Sequence, residues 1–455
     1  MNKFLFNEFE ATSSASLWKQ KIQVDLNGLD YNDTLLWKTE EDITVKPYYT
    51  SADRKNLKII SPNESFSICQ SIFIDDVNIA NSLALDALKK GADSIQFTAN
   101  KKFNIKLLLE NINLGSTKLF FKLNFLDENF IKNISKIINK KKTFFQIDII
   151  GNLAENGNWF DNLKSDFKRL DSIAKITLNT ICVDVSLYEN AGAGIVQQLA
   201  YALAHTNEYI YKLNKNILTN IHFIFSVRGN YFFEIAKLRA FKILVKALYK
   251  EYNIENSNIE IFVQPSLRNK SIYDYNVNML RTTSECMSAI LGGANTISNI
   301  SYDQVYHKSN EFGERVSRNQ LLILKEEANF KDGRLFAEGS YYIESISNQL
   351  AEKGLELFKK IEKSGGFLKL LKEGTIQNKI ATKANKEQEK YNSKEISFLG
   401  TNLYPDSSNK MLNDLELYPF VKQRNIKTLT VPITRNRLSE TYEKGRLNKE
   451  KEINY

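Results

Sequence analysis

The chain has 455 residues, of which 42% are hydrophobic and 25% are charged. These fractions are ordinary for a folded protein and exclude a wholly disordered chain. The formal net charge of +9 comes from 62 lysines and arginines against 53 acidic residues. Because the basic residues are interleaved with acidic ones along the chain, they predict a solvated surface rather than the concentrated basic face that binds nucleic acid.

The cysteine spacing and the lengths of the apolar runs indicate in which cellular compartment the protein is expected. Cys69, Cys182 and Cys286 lie more than a hundred residues apart, a spacing that fits neither a metal site nor a disulfide framework. The apolar run before Asn7 is too short for a signal peptide, and no stretch reaches the roughly 18 apolar residues of a membrane span. We therefore expect a cytoplasmic protein that holds no metal and contacts no membrane.

We predict that residues 1–66 form an N-terminal arm that precedes the main domain. A helix is expected within Phe9–Leu26, and Ile43–Val45 reads as a short strand. Trp18 and Trp37 are large amphipathic side chains in this arm. Such an arm either folds onto its own domain or anchors a subunit interface.

From about residue 67 to residue 366, apolar β-prone runs alternate with helical segments. Near-continuous apolar strands that alternate with helices indicate a parallel sheet buried on both faces. We predict closure of this sheet into a (β/α)8 TIM barrel. Seven strands are predicted at Ser94–Phe97, Leu119–Leu123, Phe144–Ile150, Ile181–Val185, Ile221–Val227, Ile259–Val263 and Ile297–Ile300, and an eighth near Leu335–Ile343.

We predict that residues 367–455 form a short C-terminal helical extension and a tail. The amphipathic stripe over Tyr341–Ile361 predicts the helix that leads into it, ended by Gly365 and Gly366. Lys379–Lys394 is either a solvated helix or a linker. The last twelve residues are expected to be frayed.

A few polar features are possible functional sites. The loop Ala191–Gly194 could offer amides to a phosphate, but it lacks a third glycine and favours a plain turn. Glu234 and Lys237 predict a salt bridge on one helix. His205 is expected to be structural and His222 a satisfied barrel residue. His307 follows the strand at Ile297 and lies where barrel active sites are built, but no carboxylate partner is evident.

Several segments together resemble the methylmalonyl-CoA mutase family, over about Tyr31 to Arg446. The combination and its order are highly specific. The segments are YNDTLLWKTEEDITVKPYYT near the start, NYFFEIAKLRA from Asn230, RTTSECMSAILGGANTIS from Arg281 within the β/α unit Arg281–Arg318, RVSRNQLLILKEE from Arg315 and GSYYIESISNQLAEKGLELFKKIEKSGGF from Gly339.

The resemblance implies a (β/α)8 barrel through which a coenzyme A thioester is threaded. It also implies adenosylcobalamin, carried by a separate flavodoxin-like domain, and a radical rearrangement between methylmalonyl-CoA and succinyl-CoA. Cobalamin-binding members carry a DxHxxG motif, and none of the three histidines of this chain lies in one. We therefore expect no cobalamin-binding domain and no cofactor bound by this chain.

Two positions depart from the catalytic members. They carry TIRQYAGF where this chain has SICQSIFI, which puts Ser71 at the tyrosine that wedges between substrate and cofactor. They carry GYHMQEAGA at the end of the fourth strand, where this chain has VSLYENAGA, with Leu187 at the histidine that hydrogen-bonds the thioester carbonyl. Serine is too short for the wedge, and leucine donates no hydrogen bond.

These departures lead us to expect a non-catalytic small subunit that stabilises a larger, homologous catalytic subunit. That partner would hold adenosylcobalamin and the acyl-CoA, and Trp18 and Trp37 would lie at the heterodimer interface. The alternative is a catalytic acyl-CoA mutase subunit that works with a separate cobalamin-binding protein. No catalytic, cofactor-binding or metal-binding residue is expected, and Ser71 and Leu187 are taken as degenerate equivalents.

Overall fold

The computed structural model describes residues 15–53, 65–213, 221–254, 259–422 and 426–453. Eight parallel strands, β3 to β10, form a closed barrel, which confirms the predicted (β/α)8 TIM barrel. The strands of the barrel are β3 (Ser67–Phe73), β4 (Ser94–Ala99), β5 (Lys118–Leu123), β6 (Thr143–Ile147), β7 (Asn179–Asp184), β8 (His222–Val227), β9 (Glu260–Pro265) and β10 (Thr296–Ile297). A separate antiparallel pair, β1 (Trp37–Lys38) and β2 (Thr44–Val45), belongs to the N-terminal arm.

Helices surround the barrel and extend the chain at both ends. In chain order they are α1 (Ala15–Asp25), α2 (Tyr31–Leu35), α3 (Val77–Lys89), α4 (Ile105–Leu108), α5 (Glu128–Ser135), α6 (Ile149–Asn156), α7 (Leu163–Ala174), α8 (Ser186–Asn190), α9 (Ile195–Lys212), α10 (Tyr231–Glu251), α11 (Val277–Leu291), α12 (Glu311–Leu322), α13 (Tyr341–Lys363), α14 (Phe367–Lys372), α15 (Thr375–Asn392) and α16 (Glu440–Ile453).

The prediction of a barrel strand near Leu335–Ile343 is wrong. That region is a 3-10 helix, Phe330–Leu335, followed by the start of α13. The remaining strand is β3, which pairs with β4 on one side and with β10 on the other. The strand at Ile181 is therefore the fifth of the barrel rather than the fourth, and the strand at Ile297 is the eighth.

The sequence of β3 explains why it was missed. Ile68 and Ile72 pack outward in the main core, whereas the alternate residues Cys69 and Ser71 face the barrel interior. A strand with a half-polar inner face shows alternation instead of a continuous apolar run. A search for continuous runs passes over it.

The predicted helix over Tyr341–Ile361 is confirmed as α13. Ser340 caps its first turn by accepting a hydrogen bond from the Ile343 amide. Ile346 and Leu350 on its apolar stripe are fully buried in the main core against the barrel helices. Gly365 and Gly366 both have positive φ angles, which ends the helix as expected.

The C-terminal extension is ordered around the barrel rather than trailing from it. The segment Lys379–Lys394 lies almost wholly within helix α15, which buries Ile380, Ala384 and Tyr391. The prediction of a frayed tail is wrong for α16. Its buried carboxylate Glu450 accepts hydrogen bonds from the Tyr273 hydroxyl and from the amides of Met411 and Leu412. The many charged residues of this segment concealed its buried face.

The N-terminal arm contacts the barrel through its hairpin. The expected helix within Phe9–Leu26 is observed as Ala15–Asp25, and residues 9–14 lie outside the described part of the chain. Trp37 packs its ring against Phe233 and stays 51% exposed. Trp18 packs against Tyr48 and stays 42% exposed. Helix α1 itself has no buried residue.

None of the helices in the described ranges combines the length and the apolar character needed to cross a lipid bilayer.

Candidate functional site

The middle of the barrel interior is filled by apolar side chains. Six buried residues, one from each of six strands, form a cluster separate from the main core, namely Cys69, Phe120, Phe144, Cys182, Ile224 and Phe262. The ring centroid of Phe120 lies 4.9 Å from that of Phe144 and 4.9 Å from that of Phe262. We call this set the phenylalanine layer. It closes the barrel axis at mid-height.

A polar layer lies above the phenylalanine layer, toward the C-terminal ends of the strands. The Ser71 hydroxyl donates to Gln96 Oε1 over 2.7 Å and lies 2.8 Å from the Ser298 hydroxyl. Gln96 Nε2 donates to Gln146 Oε1 over 2.6 Å. Gln264 Nε2 lies 3.4 Å from the same serine oxygen. Ser71 therefore belongs to a hydrogen-bonded lid on the apolar layer.

A cavity of about 480 Å³ opens from this polar layer at the barrel mouth. Cys182 and Ile224 of the phenylalanine layer contribute to its wall, and so does Leu187 from the short helix α8. Leu187 is buried, so it presents an apolar surface where the resemblance expects a histidine. The polar side chains lining the cavity are Lys122, Asn124, Gln146, Asp148, Asn152, Glu155, Asn156, Asp184 and Arg435.

Arg435 reaches the cavity from the C-terminal extension and links two carboxylates. Its Nε lies 2.8 Å from Glu155 Oε1, and its Nη2 lies 3.2 Å from Asp184 Oδ2. Its Nη1 donates to the Ser186 hydroxyl over 3.0 Å. Lys122 Nζ lies 3.7 Å from the same Asp184 oxygen. The mouth of the barrel is thus held by a charge network with two cations and two carboxylates.

Burial and charge act against each other on Asp184. Burial alone would raise its pKa, but the positive charges of Arg435 and Lys122 and the hydrogen bond from Ser186 hold the pKa below its ordinary value. Burial likewise opposes the charged form of Arg435, yet Glu155 and Asp184 raise the pKa of its guanidinium. Both groups are charged at neutral pH.

A second group of buried polar residues extends inward from Asp148 at the cavity wall. Asp148 accepts hydrogen bonds from the Tyr209 hydroxyl, 2.7 Å, and from the Gly151 amide, 2.7 Å. His205 Nε2 lies 2.9 Å from Asp148 Oδ1, and its Nδ1 lies 2.9 Å from the Tyr188 hydroxyl. His205 is fully buried, so the expectation of a structural histidine agrees with its surroundings.

The other two histidines differ from their predictions. His222 faces the barrel interior beside Phe144, and neither ring nitrogen has a hydrogen-bond partner in the described structure. It is buried but not satisfied, and burial lowers its pKa to about 3. His307 does have carboxylate neighbours, because its Nε2 lies 3.2 Å from Glu416 and its Nδ1 lies 3.8 Å from Asp303. Glu416 comes from the C-terminal extension, which the local sequence could not reveal.

The loop Ala191–Gly194 is a turn whose anion position is taken by the chain itself. The carboxylate of Glu41 in the N-terminal arm accepts hydrogen bonds from the amides of Ile195 and Val196 at 2.8 and 2.9 Å. These are the first amides of α9, which a phosphate would otherwise use. Gly192 has a φ of +98°, and a Cβ there would lie 2.6 Å from Cβ of Ala384 on α15. This glycine lets the turn meet that helix.

The predicted pair of Glu234 and Lys237 is present and buried, with its charged atoms 2.5 Å apart. Lys237 Nζ also donates to the Ser226 carbonyl over 2.7 Å and to Gln198 over 3.1 Å. The pair therefore ties helix α10 to strand β8 and helix α9. Over the ranges that the structure describes, no three His, Cys, Asp or Glu side chains are placed to hold a metal ion.

Sequence reasoning missed the residues that define the mouth, namely Gln146, Asp184 and Arg435, and it missed the phenylalanine layer. A signal for the layer existed in β5, where KLFFKL puts Lys118, Phe120 and Lys122 on one face at a period of two. Arg435 had no such signal, because its partners lie more than 240 residues earlier in the chain.

The fold and the mouth define a (β/α)8 barrel protein with a closed axis and a polar cavity lined by charged side chains. The profile of methylmalonyl-CoA mutase matches residues 132–451. The methylmalonyl-CoA mutase small subunit of Porphyromonas gingivalis is 32% identical over 448 residues, which are 88% of this chain and 71% of that protein. This chain belongs to the methylmalonyl-CoA mutase family, whose members depend on cobalamin.

Two further relatives align over about half of this chain. Methylmalonyl-CoA mutase of Rhizobium meliloti is 31% identical over 52% of this chain and 35% of its own length. The 2-hydroxyisobutanoyl-CoA mutase large subunit of Aquincola tertiaricarbonis is 26% identical over 52% of this chain and 44% of its own length. The chain thus spans less than half of the length of these two relatives.

We predict that Arg435→Met lowers the free energy of unfolding by about 2 kcal/mol at pH 7. The substitution leaves the buried Asp184 carboxylate with Lys122, 3.7 Å away, as its remaining cationic neighbour. Asp184 has a lowered folded-state pKa. Its contribution is therefore present above the unfolded pKa of about 3.9 and is lost as the pH falls through the folded value. The difference between wild type and variant should accordingly shrink when urea unfolding is repeated near pH 3.

Arg169→Met is the matched control for this measurement. Its partner Asp161 lies 3.5 Å away, and both side chains are at least 40% exposed. An exposed pair contributes less than about 1 kcal/mol. Equal losses for the two variants, or a loss at Arg435 that does not change with pH, would contradict the assignment.

Proposed function

We propose that this chain is the non-catalytic small subunit of a methylmalonyl-CoA mutase and stabilises a larger, homologous subunit that carries out the reaction. The observation that carries the proposal is the phenylalanine layer. The family threads its coenzyme A thioester along the barrel axis, as the resemblance implies. In this chain the rings of Phe120, Phe144 and Phe262 occupy that axis.

The cost of opening the axis supports this role. Full burial of one phenylalanine contributes about 1.5–3 kcal/mol, so exposing three rings would cost roughly 5–9 kcal/mol. That amount is comparable to the whole stability of a typical folded domain, about 5–15 kcal/mol. A thioester would have to supply this free energy before any binding appeared.

The two substituted positions support the same conclusion. The Ser71 hydroxyl is engaged with Gln96 and Ser298, so it lies within the polar layer instead of projecting as a wedge. Leu187 is buried at the cavity wall and has no donor for a thioester oxygen. We propose that Ser71 and Leu187 are the degenerate equivalents of the catalytic tyrosine and histidine.

The histidines of this chain do not fit a lower ligand of cobalt. His205 is held between Asp148 and Tyr188, and His222 is sealed inside the barrel. His307 is paired with Glu416 and Asp303. We therefore assign adenosylcobalamin, together with the acyl-CoA, to the partner subunit and derive no cofactor chemistry from this chain.

The proposed partner is a homologous large subunit, and the name of the Porphyromonas gingivalis relative supports a paired arrangement. We place the N-terminal arm, residues 1–66, at the heterodimer interface. Trp18 and Trp37 are each packed on one face by their own chain and half exposed on the other. Stable subunit pairs bury large apolar areas in which such tryptophans act as anchors. All three cysteines are free buried thiols, which supports a cytoplasmic location.

The alternative is a catalytic acyl-CoA mutase subunit that works with a separate cobalamin protein. The observation that favours it is that one relative is named the large subunit of an acyl-CoA mutase, 2-hydroxyisobutanoyl-CoA mutase. It requires an open axis and a donor at the position of Leu187, and the phenylalanine layer argues against it.

The function is tested by assaying methylmalonyl-CoA conversion to succinyl-CoA in the presence of adenosylcobalamin. We expect no turnover from this chain alone, and we expect its addition to increase the activity or the thermal half-life of the large subunit. Turnover by this chain with a cobalamin-binding protein that lacks its own mutase barrel would establish the alternative.

The interface is tested with Trp18→Ala and Trp37→Ala. We expect each variant to weaken association with the large subunit by about 30-fold or more, since an anchor residue contributes at least about 2 kcal/mol. Sedimentation or surface plasmon resonance measures the change. Tyr211→Ala, which removes an 80% exposed aromatic residue from α9, should leave it unaltered. Unchanged association for both tryptophan variants would exclude the arm as the anchor.

A further inference from the structure

The cavity at the barrel mouth contains two hydrogen-bond donors without an acceptor in the described chain. Gln146 is 6% exposed, and its Oε1 accepts from Gln96, but its Nε2 has no partner. The ammonium of Lys122 has only Asp184 within ion-pair range, at 3.7 Å, which is too long for a hydrogen bond. Both side chains line the cavity.

The two donors lie side by side. Phe120 of β5 and Phe144 of β6 are paired in the sheet, and Lys122 and Gln146 lie two positions further along the same strands. Side chains two positions apart on a strand share a face, so both donors project above the phenylalanine layer. An unpartnered buried amide is costly, and a ligand with acceptor oxygens would remove that cost.

The charges indicate what kind of acceptor fits. The lining holds three carboxylates, and each has partners within the chain. Asp184 and Glu155 are both bound by Arg435, with contacts of 3.2 and 2.8 Å. Asp148 accepts hydrogen bonds from the Tyr209 hydroxyl and the Gly151 amide. Of the two cations, Lys122 has one carboxylate within ion-pair range, at 3.7 Å, whereas Arg435 has two. A single negative charge would complement Lys122, whereas a phosphate dianion would meet the nearby carboxylates and be repelled.

The shape limits the size of the ligand. The cavity of about 480 Å³ opens at the C-terminal mouth, and the phenylalanine layer closes the axis below it. A molecule bound there has no path for a long chain through the barrel, so it is not a coenzyme A thioester. It enters and leaves by the mouth.

We propose that this cavity binds a small free carboxylate, whose oxygens accept hydrogen bonds from Gln146 Nε2 and from the Lys122 ammonium. The site would give the subunit a ligand of its own, separate from the acyl-CoA of the proposed function. It does not depend on the partner's catalysis, because every residue named here belongs to this chain.

The test is ligand-observed nuclear magnetic resonance on the full chain, with sodium lactate as the probe and inorganic phosphate as the comparison. Lys122→Met removes the cation from a side chain that is 37% exposed, so the fold should tolerate it. Gln146→Glu keeps the acceptor for Gln96 but replaces the donor. Lys132→Met, on the exposed face of α5, is the matched control.

We expect lactate to bind wild type and Lys132→Met equally, and both site variants to bind it at least about tenfold more weakly, since charge-assisted hydrogen bonds are lost. The proposal is overturned if wild type gives no lactate signal, if the site variants bind lactate as well as wild type does, or if phosphate binds more tightly than lactate. Failure here would leave the non-catalytic role standing, whereas mutase turnover by this chain would overturn that role alone.

Discussion

The packing of Phe120, Phe144 and Phe262 inside the barrel is the constraint on which the rest of the structure depends. A (β/α)8 barrel is ordinarily a packed core rather than a pore, with side chains from alternate strands filling layers. This chain follows that rule with three aromatic rings at mid-height. In this chain the barrel axis is therefore part of the packed core.

The closed axis gives the two ends of the barrel different roles. Above the phenylalanine layer, the side chains of Ser71 and Gln96 are hydrogen-bonded within the polar layer, whereas Gln146 keeps an unpartnered Nε2 at the cavity. The C-terminal extension then crosses the mouth. Its backbone amides at Ile433, Asn436 and Leu438 donate to carbonyls of Ala154, Asn190 and Arg268. Arg435 lies in the middle of that crossing, and its charge pairs fasten the segment to the barrel.

Much of the fold could be predicted from periodicity, and the failures have physical causes. Seven strands were visible because parallel strands buried on both faces are continuously apolar. The eighth, Ser67–Phe73, was hidden because its inner face is half polar. The sequence predicts a frayed end in place of helix α16 because Glu443 and Glu450 look like surface residues. Both are buried and accept hydrogen bonds from Ile272 and Tyr273 beside the barrel. The interpretation of Ser71 and Leu187 as degenerate positions rests on the resemblance. The site around Arg435 could not be predicted, because it is formed by contacts between distant parts of the chain.

The most direct measurement of the central claim is the number of acyl-CoA molecules bound by a purified complex of this chain with the proposed large subunit. Equilibrium dialysis with a non-reactive acyl-CoA analogue counts them at saturation. If the phenylalanine layer closes this barrel, the proposed heterodimer binds one molecule, held by its large subunit. Two molecules per heterodimer, or one molecule bound by this chain alone, would contradict the account.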